Sequence, residues 1–210
     1  MKFRPFQMTD YAAVLRAYES AWGWEFGDNV DLRILTGEYY CAEVIADADC
    51  TIVATDDDGK FLGLACLLCK KLSDCRNDAV QFACRAVRNK ADELLKGMPD
   101  GKYVREFVSM LTSSNLVLET RMRDGETEWS AELLFLLCAT EARGKGVGKA
   151  LVKKAMKMLK RAGVKGNLML KTDTHCGWQF YPKTGWKVAA AYEWPGGMDM
   201  TAMAFIKKID

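Results

Sequence analysis

The chain has 210 residues, half of them apolar, which is enough to bury one substantial core, so we expect a single domain over residues 1–210. Thirty basic residues stand against twenty-eight acidic ones, and this balance gives no overall field that would attract nucleic acid or an anionic membrane. No stretch approaches the roughly 20 uninterrupted apolar residues that span a bilayer, and Met1–Asp10 lacks the apolar run of a secretory signal, so we expect a cytoplasmic protein.

The cysteines and the single histidine give little support for a metal site or for nucleophilic catalysis. The eight cysteines have no paired spacing and several lie in apolar runs, so we expect reduced, mostly buried thiols. Cys66 and Cys69 have a metal-like spacing, but they fall in a strand-like run whose i and i+3 positions face opposite sides. With His175 as the one imidazole, a Ser-His-Asp arrangement is poorly supplied, and we expect no metal.

The chain opens with a predicted strand and two predicted helices. Lys2–Gln7 alternates enough to form a strand, and a capped helix follows to about Trp22. Asp31–Asp47 carries apolar residues at loosely helical spacing, with Gly37 as a possible break. Strand and helices thus alternate from the beginning, which indicates a mixed α/β protein.

A hairpin and two further helices are predicted next. The β-rich runs Thr51–Thr55 and Phe61–Lys70 are joined by Asp56-Asp57-Asp58-Gly59, which has the charge and the glycine of a tight turn. From about Asp74 to Met122 the apolar spacing becomes helical, with a break at Met98-Pro99-Asp100-Gly101. The apolar stripe predicted for the first of these helices consists of Val80, Cys84, Val87, Ala91, Leu94 and Leu95.

The second half of the chain contains a predicted central strand, a glycine-rich turn and an amphipathic helix. Trp129–Cys138 is apolar apart from Ser130 and Glu132, as expected of a buried strand. Thr140–Gly148 then forms a glycine-rich turn before Lys149–Ala162, whose apolar face lies opposite five lysines and an arginine. The last predicted elements are a strand, a short helix and two strands, at Asn167–Thr172, Cys176–Lys183, Trp186–Tyr192 and Met200–Lys207.

The glycine-rich turn is a candidate anion site. Arg143-Gly144-Lys145-Gly146-Val147-Gly148 follows a buried strand and opens a helix, so its backbone N–H groups converge where the helix dipole is positive. It lacks the Gly-Lys-Ser/Thr ending of a Walker loop, and Lys149 stands where the dinucleotide fingerprint needs a glycine. A phosphate site is one interpretation, and glycines that merely allow a tight strand-to-helix turn are the other.

Two segments, in this order, resemble motifs of the GNAT acyltransferases. Arg143-x-x-Gly146-x-Gly148 is similar to their pyrophosphate-binding turn, Gln/Arg-x-x-Gly-x-Gly/Ala, and Phe180-Tyr181-Pro182-Lys183-Thr184-Gly185-Trp186 is similar to their Phe-Tyr-x-x-x-Gly-Phe segment. The resemblance implies an α/β fold with a mixed, mostly antiparallel central sheet flanked by helices. The predicted helices at 74–122 depart from the family as an insertion between strands 3 and 4, and we expect them to cover or shape the acceptor pocket.

The resemblance also implies acetyl-CoA as the cofactor and names the residues that would hold it. Backbone amides from the second half of the central strand would bind pantetheine and the thioester carbonyl, with Leu136 in a catalytic role. Thr174 stands where the family often has asparagine, and Gly177 where it often has alanine, so side-chain contact with pantetheine is in doubt there. The predicted cofactor-binding residues are Leu137, Cys138, Arg143, Gly144, Lys145, Gly146, Val147, Gly148, Lys149, Thr174 and Tyr181.

For catalysis, the resemblance implies direct attack of an amine on the thioester. Tyr181 occupies the family's general-acid position, and a phenol suits that role because its pKa lies close to that of a leaving thiol. The alternative is a buried structural tyrosine. Glu132 resembles the family's catalytic glutamate, while a water chain or His175 are the alternative bases. Covalent catalysis by Cys138 is a further alternative with little support, since the only histidine is distant in sequence.

The acceptor site is predicted at the end of the first helix, which in this family lines the acceptor pocket. Trp22-Gly23-Trp24-Glu25-Phe26 places aromatic rings beside a carboxylate and could hold a cationic amine, although such aromatics also serve as core anchors. The predicted acceptor-binding residues are Trp22, Trp24, Glu25 and His175.

The sequence therefore predicts an N-acetyltransferase that moves the acetyl group from acetyl-CoA to a primary amine of a small molecule. A CoA-binding or regulatory domain without catalysis is one alternative, and a protein or peptide N-acetyltransferase is another. No nucleic acid or membrane partner is expected, and a homodimer is implied only by the family.

Overall fold

The computed structural model describes residues 1–23, 27–194 and 199–209, and in these ranges the chain forms seven strands and six α-helices. In chain order they are β1 Lys2–Pro5, α1 Tyr11–Trp22, α2 Val30–Asp47, β2 Cys50–Thr55, β3 Phe61–Leu68, α3 Asp78–Gly97, α4 Gly101–Asp124, β4 Ala131–Cys138, α5 Val147–Arg161, β5 Gly166–Asp173, α6 Phe180–Lys183, β6 Lys187–Glu193 and β7 Thr201–Ile209.

The seven strands form one sheet in the order β1-β2-β3-β4-β5-β7-β6. Every neighbouring pair is antiparallel except β4 and β5, which run parallel. The predicted mixed, mostly antiparallel sheet is therefore confirmed. The hairpin β2–β3 forms at the predicted turn, where Asp56 Oδ1 accepts the N–H groups of Asp58 (3.1 Å) and Lys60 (2.8 Å). Gly59 has φ 86° there, a left-handed conformation that favours glycine.

Helices cover both faces of the sheet, as the side chains of β4 show. The Phe135 ring contacts Trp22 of α1 and Tyr40 of α2, with ring centroids 5.9 and 5.7 Å apart. The next side chain along the strand, Leu136, packs at Gly148 of α5. Because successive side chains of a strand point to opposite faces, α1 and α2 lie on one face and α5 on the other.

The helical insertion between β3 and β4 is confirmed, and its two helices pack in different places. Helix α3 lies along α2, where Arg88 pairs with Glu43 (3.0 Å) and donates to the Tyr39 hydroxyl (2.9 Å). Helix α4 packs against β6 and β7. Two of its buried residues, Leu118 and Met122, share a second apolar cluster with the sheet, whose other members are Met169, Ala190, Trp194, Met200, Ala202 and Ala204.

Three local expectations differ from the structure. Gly37 does not break α2; a Cβ there would lie 3.2 Å from Tyr18 Cδ1, so glycine instead lets α1 and α2 approach closely. Leu94 is 48% exposed, whereas Leu95 beside it is fully buried, because adjacent helical residues point about 100° apart. The helix predicted from Cys176 begins only at Phe180, since the Asp173 carboxylate accepts the N–H groups of residues 175 and 176 and holds a turn.

No helix of the described ranges combines the length and the apolar character needed to cross a membrane.

Candidate functional site

The central strand β4 has a free edge along its second half. It pairs with β3 along nearly its whole length, but with β5 only at Ala131 and Glu132. Strand β5 continues alongside β7 as far as Asp173. The two parallel strands therefore separate beyond Glu132, and no other described strand pairs with this edge of β4. We call the space between Leu133–Cys138 and the end of β5 the notch.

The hydrogen-bond register determines which backbone groups face the notch. Ala139 N–H donates to Leu62 O of the β3 segment (3.0 Å), and antiparallel pairing directs alternate residues to the same neighbour. Leu137, paired with Leu64, therefore directs its backbone groups to β3. Leu136 and Cys138 direct theirs into the notch. Of the three strand residues predicted to act through their backbone, these two are the ones whose backbone groups face the notch.

Beyond β4, the predicted glycine-rich turn leads to the N-terminus of α5. Gly144 (φ 73°) and Gly146 (φ 80°) are both in the left-handed region, which explains why glycine is required at each. The intrahelical ladder starts where Ala150 N–H donates to Gly146 O (3.0 Å). The N–H groups of Val147–Lys149 thus precede the ladder and point out of the first turn, where the helix dipole is positive.

The surface above the turn is open and positively charged. Nothing lies within 4 Å of the position a Cβ would take on Gly144 or Gly146, so a ligand can approach the backbone there. Arg143 donates to the carbonyls of Cys138 and Ala17, both at 3.4 Å, which holds its guanidinium between β4 and α1. Arg143 and its neighbours Lys145 and Lys149 are exposed and form no ion pair with a described residue. The turn is therefore suited to bind an anion.

Tyr181 is in the first turn of α6, close to the notch. Its half-buried ring packs against Trp186 and Phe205, with centroid distances of 5.8 and 5.4 Å. Burial raises the pKa of its phenol well above the ordinary value, and the neighbouring thiols of Cys176 and Cys138 add to the rise. Within the described part of the chain its hydroxyl forms no hydrogen bond. Tyr181 is thus a protonated donor without a committed acceptor.

Glu132 lies at the apex of the notch, where β4 and β5 begin to separate. The residue is 9% exposed, and its carboxylate lies 3.0 Å from Lys171 Nζ. The same Lys171 ammonium lies 2.6 Å from Glu119 Oε1 on α4. Burial raises the pKa of Glu132, Lys171 lowers it, and Glu119 raises it again. The predicted carboxylate with a raised pKa is present, but it belongs to a buried charge cluster that includes an inserted helix.

Thr174 and His175 follow β5 on the opposite side of the notch. The Thr174 hydroxyl accepts the N–H of Thr201 (3.0 Å), so this side chain joins the end of β5 to β7. A hydroxyl can still donate to a ligand in that position. His175 is exposed, and its N–H donates to Asp173 Oδ1 (2.8 Å).

An aromatic cluster faces the notch from the α1 and α2 side. Trp22, predicted as an acceptor residue, contacts Tyr18 (5.2 Å) and Phe135 (5.9 Å). Trp24 and Glu25, predicted with it, lie outside the described residues. Tyr40 completes the cluster from α2.

Three residues of this region escaped the sequence analysis: Tyr40, Asp173 and Cys176. The helical pattern of α2 pointed to Tyr39, which packs under Arg88 away from the notch, while Tyr40 occupies the side that faces it. Asp173 and Cys176 carry no signal of their own, although their position after β5 and before Tyr181 marks them as neighbours of the site. Within the described ranges no three metal-binding side chains cluster.

Comparison with families and solved structures agrees with this geometry. Residues 105–186 match the model of the acetyltransferase (GNAT) family. At the level of sequence, no curated protein matches the chain.

Three solved structures are similar to the chain in fold. An acetyltransferase assigned to the GNAT family from Desulfovibrio desulfuricans has a TM-score of 0.54 and 14% identity, covering 100% of this chain and 99% of its own. An aminoglycoside 6'-N-acetyltransferase complexed with coenzyme A has a TM-score of 0.55 and 14% identity over 100% and 98%. Arylalkylamine N-acetyltransferase 2 from Aedes aegypti has a TM-score of 0.53 and 16% identity over 100% and 99%. The GNAT fold is thereby shown for the whole described chain.

Proposed function

Because residues 105–186 match the GNAT acetyltransferase family and the fold is that of its solved structures, we propose that the chain is an acetyl-CoA-dependent N-acetyltransferase. The acceptor we propose is the primary amine of a small molecule. The observation that carries this proposal is that the free edge of β4 is followed directly by the glycine-rich turn and the N-terminus of α5. A linear arm ending in a diphosphate fits such an arrangement.

The residues present fit coenzyme A both at the free edge and at the turn. The N–H groups of Gly146–Lys149 and the open space above Gly144 would hold the diphosphate, with Arg143 and Lys145 supplying positive charge. The backbone of Cys138 would hold the pantetheine amide at the free edge of β4, with Leu137 packed beneath it and Thr174 across the notch. The aminoglycoside 6'-N-acetyltransferase of similar fold was solved as a complex with coenzyme A, and this likeness supports the same ligand for this chain.

Bound acetyl-CoA supplies a thioester whose carbonyl carbon an amine can attack directly. In the proposed reaction the amine nitrogen forms the new C–N bond and the C–S bond breaks. The N–H of Leu136, which faces the notch, would stabilise the developing oxyanion, an effect of about 2.7 to 4 kcal/mol for one well-placed donor. Tyr181 would give its proton to the departing sulfur. Glu132 would take the amine proton, directly or through water.

Thermal unfolding with and without acetyl-CoA tests the cofactor. A ligand at a hundred times its Kd adds about 2.7 kcal/mol to the free energy of unfolding, so Tm should rise with acetyl-CoA but not with ATP or NAD. Release of free thiol in the presence of a panel of amines then tests transfer. No rise in Tm would refute the proposal. A rise without transfer to any amine would favour a CoA-binding domain without catalysis.

A further inference from the structure

The glycine-rich turn, helix α5 and the loop after it carry charge of one sign only. Residues 143–165 contain nine basic residues and no acidic residue. Because the whole chain has 30 basic and 28 acidic residues, the remaining residues hold 21 basic against 28 acidic ones and have a formal net charge of −7. The near-neutral total therefore conceals a separation of charge. The nine residues, which we call the basic stripe, are Arg143, Lys145, Lys149, Lys153, Lys154, Lys157, Lys160, Arg161 and Lys165.

The charges of the basic stripe are accessible to solvent and to ligands. Eight of the nine residues are exposed, and the ninth, Lys154, is half-buried with its ammonium over the Phe3 ring (6.0 Å). None of the nine basic groups forms an ion pair with a residue that the structure describes. Their charges are therefore available to act on an approaching ion.

Acidic groups lie beside the first end of the basic stripe, but they are partly compensated. Glu141 precedes the turn and is paired with Lys60 (2.9 Å) at the end of the β2–β3 hairpin. In that hairpin Asp57 is paired with the amino terminus (3.5 Å), and Asp56 accepts two backbone N–H groups. Since nine positive charges outnumber these few, the field above α5 is positive.

The basic stripe is unfavourable for the helix that carries most of it. The N-terminus of a helix is the positive end of its dipole and favours acidic residues, yet the first turn of α5 has none. Basic residues instead recur at four-residue intervals, where like charges on a helix repel each other. They are Lys149, Lys153, Lys157 and Arg161. Helix stability does not explain such a pattern, and a departure from local preference of this kind is typical of a functional surface.

The basic stripe begins at the turn that is proposed to bind the diphosphate of coenzyme A and extends far beyond it. With a rise of about 1.5 Å per residue, Lys157 lies about 15 Å and Arg161 about 21 Å along α5 from Val147. These residues are too distant to touch a diphosphate at the turn. They are within the Debye length of about 30 Å at an ionic strength of 0.01 M, so they can attract an anionic ligand without contact.

We propose that the distal part of the basic stripe, from Lys153 to Lys165, is a steering surface that attracts the anionic acyl donor and guides it to the glycine-rich turn. It increases the rate of association, while the turn and Arg143 hold the bound ligand. The negative charge of the remaining chain strengthens the effect, because an anion is repelled there and attracted at α5. This inference rests on the proposed use of acetyl-CoA and specifies how the donor reaches its site.

The first test reverses one distal charge. Lys157→Glu should fold, since the new carboxylate lies four residues from Lys153 and from Arg161 and replaces two repulsions with attractions. The matched control is Lys90→Glu on α3, an exposed position on the opposite face of the sheet, which changes the net charge by the same amount. The association and dissociation rate constants of coenzyme A, kon and koff, are measured by stopped flow at several ionic strengths.

At an ionic strength of 0.01 M we expect kon to be about threefold or more lower for Lys157→Glu than for the wild type, with koff nearly unchanged. The difference should disappear as added salt shortens the Debye length. Lys90→Glu should keep the wild-type kon. An unchanged kon in Lys157→Glu would overturn the inference, and so would an equal loss in Lys90→Glu, because net charge would then be the cause.

The second test changes the charge of the ligand instead. Dephospho-coenzyme A lacks the phosphomonoester of coenzyme A and carries less negative charge. At 0.01 M we expect the wild type to associate faster with coenzyme A than with the dephospho form, and the ratio of the two kon values to be smaller in Lys157→Glu. A ratio that is the same in both proteins would overturn the inference.

Both tests separate the steering surface from the proposed function. If Lys157→Glu changed koff more than kon, Lys157 would be a direct contact of the bound ligand, and steering would be refuted while coenzyme A remained the ligand. If the wild-type protein did not bind coenzyme A at any ionic strength, the proposed function itself would be refuted, and the inference with it.

Discussion

Lys171 Nζ lies 3.0 Å from Glu132 Oε1, at the apex of the notch where β4 and β5 separate. The same ammonium lies 2.6 Å from Glu119 Oε1 on the inserted helix α4, and all three side chains are mostly buried. The pKa of a base at this apex therefore depends on one positively charged and one negatively charged neighbour. Because the insertion supplies Glu119, it would influence the proposed reaction through charge even without contact between α4 and the acceptor.

If Glu132 is the base, the acidic limb of the pH dependence of kcat/KM reports its protonation. Burial raises the pKa of Glu132, Lys171 lowers it and Glu119 raises it. Lys171→Met should therefore shift the limb to higher pH, and Glu119→Gln should shift it to lower pH. Glu132→Gln should remove the limb and lower kcat by about 10²- to 10⁴-fold. If the acidic limb of kcat/KM lay at the same pH in the wild type and in all three variants, Glu132 would be excluded as the base.

These variants also change stability, which must be measured alongside. Lys171→Met leaves two buried carboxylates facing each other, and removing one partner of a buried pair costs about 3–5 kcal/mol. Kinetics should accordingly be recorded well below the Tm of each variant. Since folding raises the pKa of Glu132, the folded state holds its proton more tightly. The wild-type protein should thus lose stability as pH rises from 4.5, the ordinary value, through the raised value.

Tyr181→Phe should lower kcat by about 10²- to 10⁴-fold and leave the Tm shift with coenzyme A unchanged. The ring contacts with Trp186 and Phe205 remain in the variant, and the hydroxyl has no hydrogen bond to a described residue that could be lost, so the free energy of unfolding should change little. Because burial raises the pKa of this phenol, Tyr181 stays protonated as pH increases and should cause no alkaline decline near neutral pH.

The matched control is Tyr192→Phe on β6, where the ring packs under Arg121 away from the notch. It should keep full activity. If Tyr181→Phe were as active as this control, the proton of the departing thiolate would have to come from elsewhere, although the N-acetyltransferase proposal would still stand.

The elements that the sequence predicts well are those with a local cause. The hairpin at Asp56–Gly59 follows from its own turn chemistry, and β4 follows from a long apolar run. The glycine-rich turn is also local, because two left-handed glycines, Gly144 and Gly146, immediately precede α5. Strand boundaries accordingly agree with the pattern within about two residues.

The parts that the sequence does not predict depend on contacts between distant segments. Lys171 looks like an ordinary charge near a strand end, and only the parallel register of β4 and β5 brings it to Glu132. Tyr40 and Tyr39 are equally plausible core residues until the packing of α1 against α2 determines which one faces the notch. The choice of Leu136 and Cys138 over Leu137 likewise requires the hydrogen-bond register with β3.

Cys138 provides a test of direct attack against a covalent intermediate. Its thiol lies at the end of β4, and burial raises its pKa, with Arg143 and the Gly148 N–H opposing the rise. A thiol with a raised pKa is a poor nucleophile near neutral pH. Cys138→Ala should keep kcat within severalfold of the wild type, and mass spectrometry of protein with acetyl-CoA alone should show no acetylated enzyme. An acetylated Cys138 would replace direct attack with a two-step mechanism.

Substitution of a glycine in the turn can distinguish an effect on ligand binding from an effect on stability. Gly146→Ala forces a Cβ into the left-handed region at φ 80°, and Gly59→Ala does the same at φ 86° in the β2–β3 hairpin, with nothing within 4 Å of either Cβ. Each should destabilise the protein by about 1–2 kcal/mol for the same reason. Only Gly146→Ala also places a methyl group where the diphosphate would approach the N-terminus of α5.

Calorimetric titration with coenzyme A should therefore show a Kd at least about tenfold higher for Gly146→Ala, and an unchanged Kd for Gly59→Ala, although both variants melt at lower temperature. Because the two substitutions cause equal strain, stability cannot account for a difference in affinity between them. Equal affinities in the two variants would mean that Arg143 to Gly148 is only a strand-to-helix turn, and the ligand would then have to be sought away from α5.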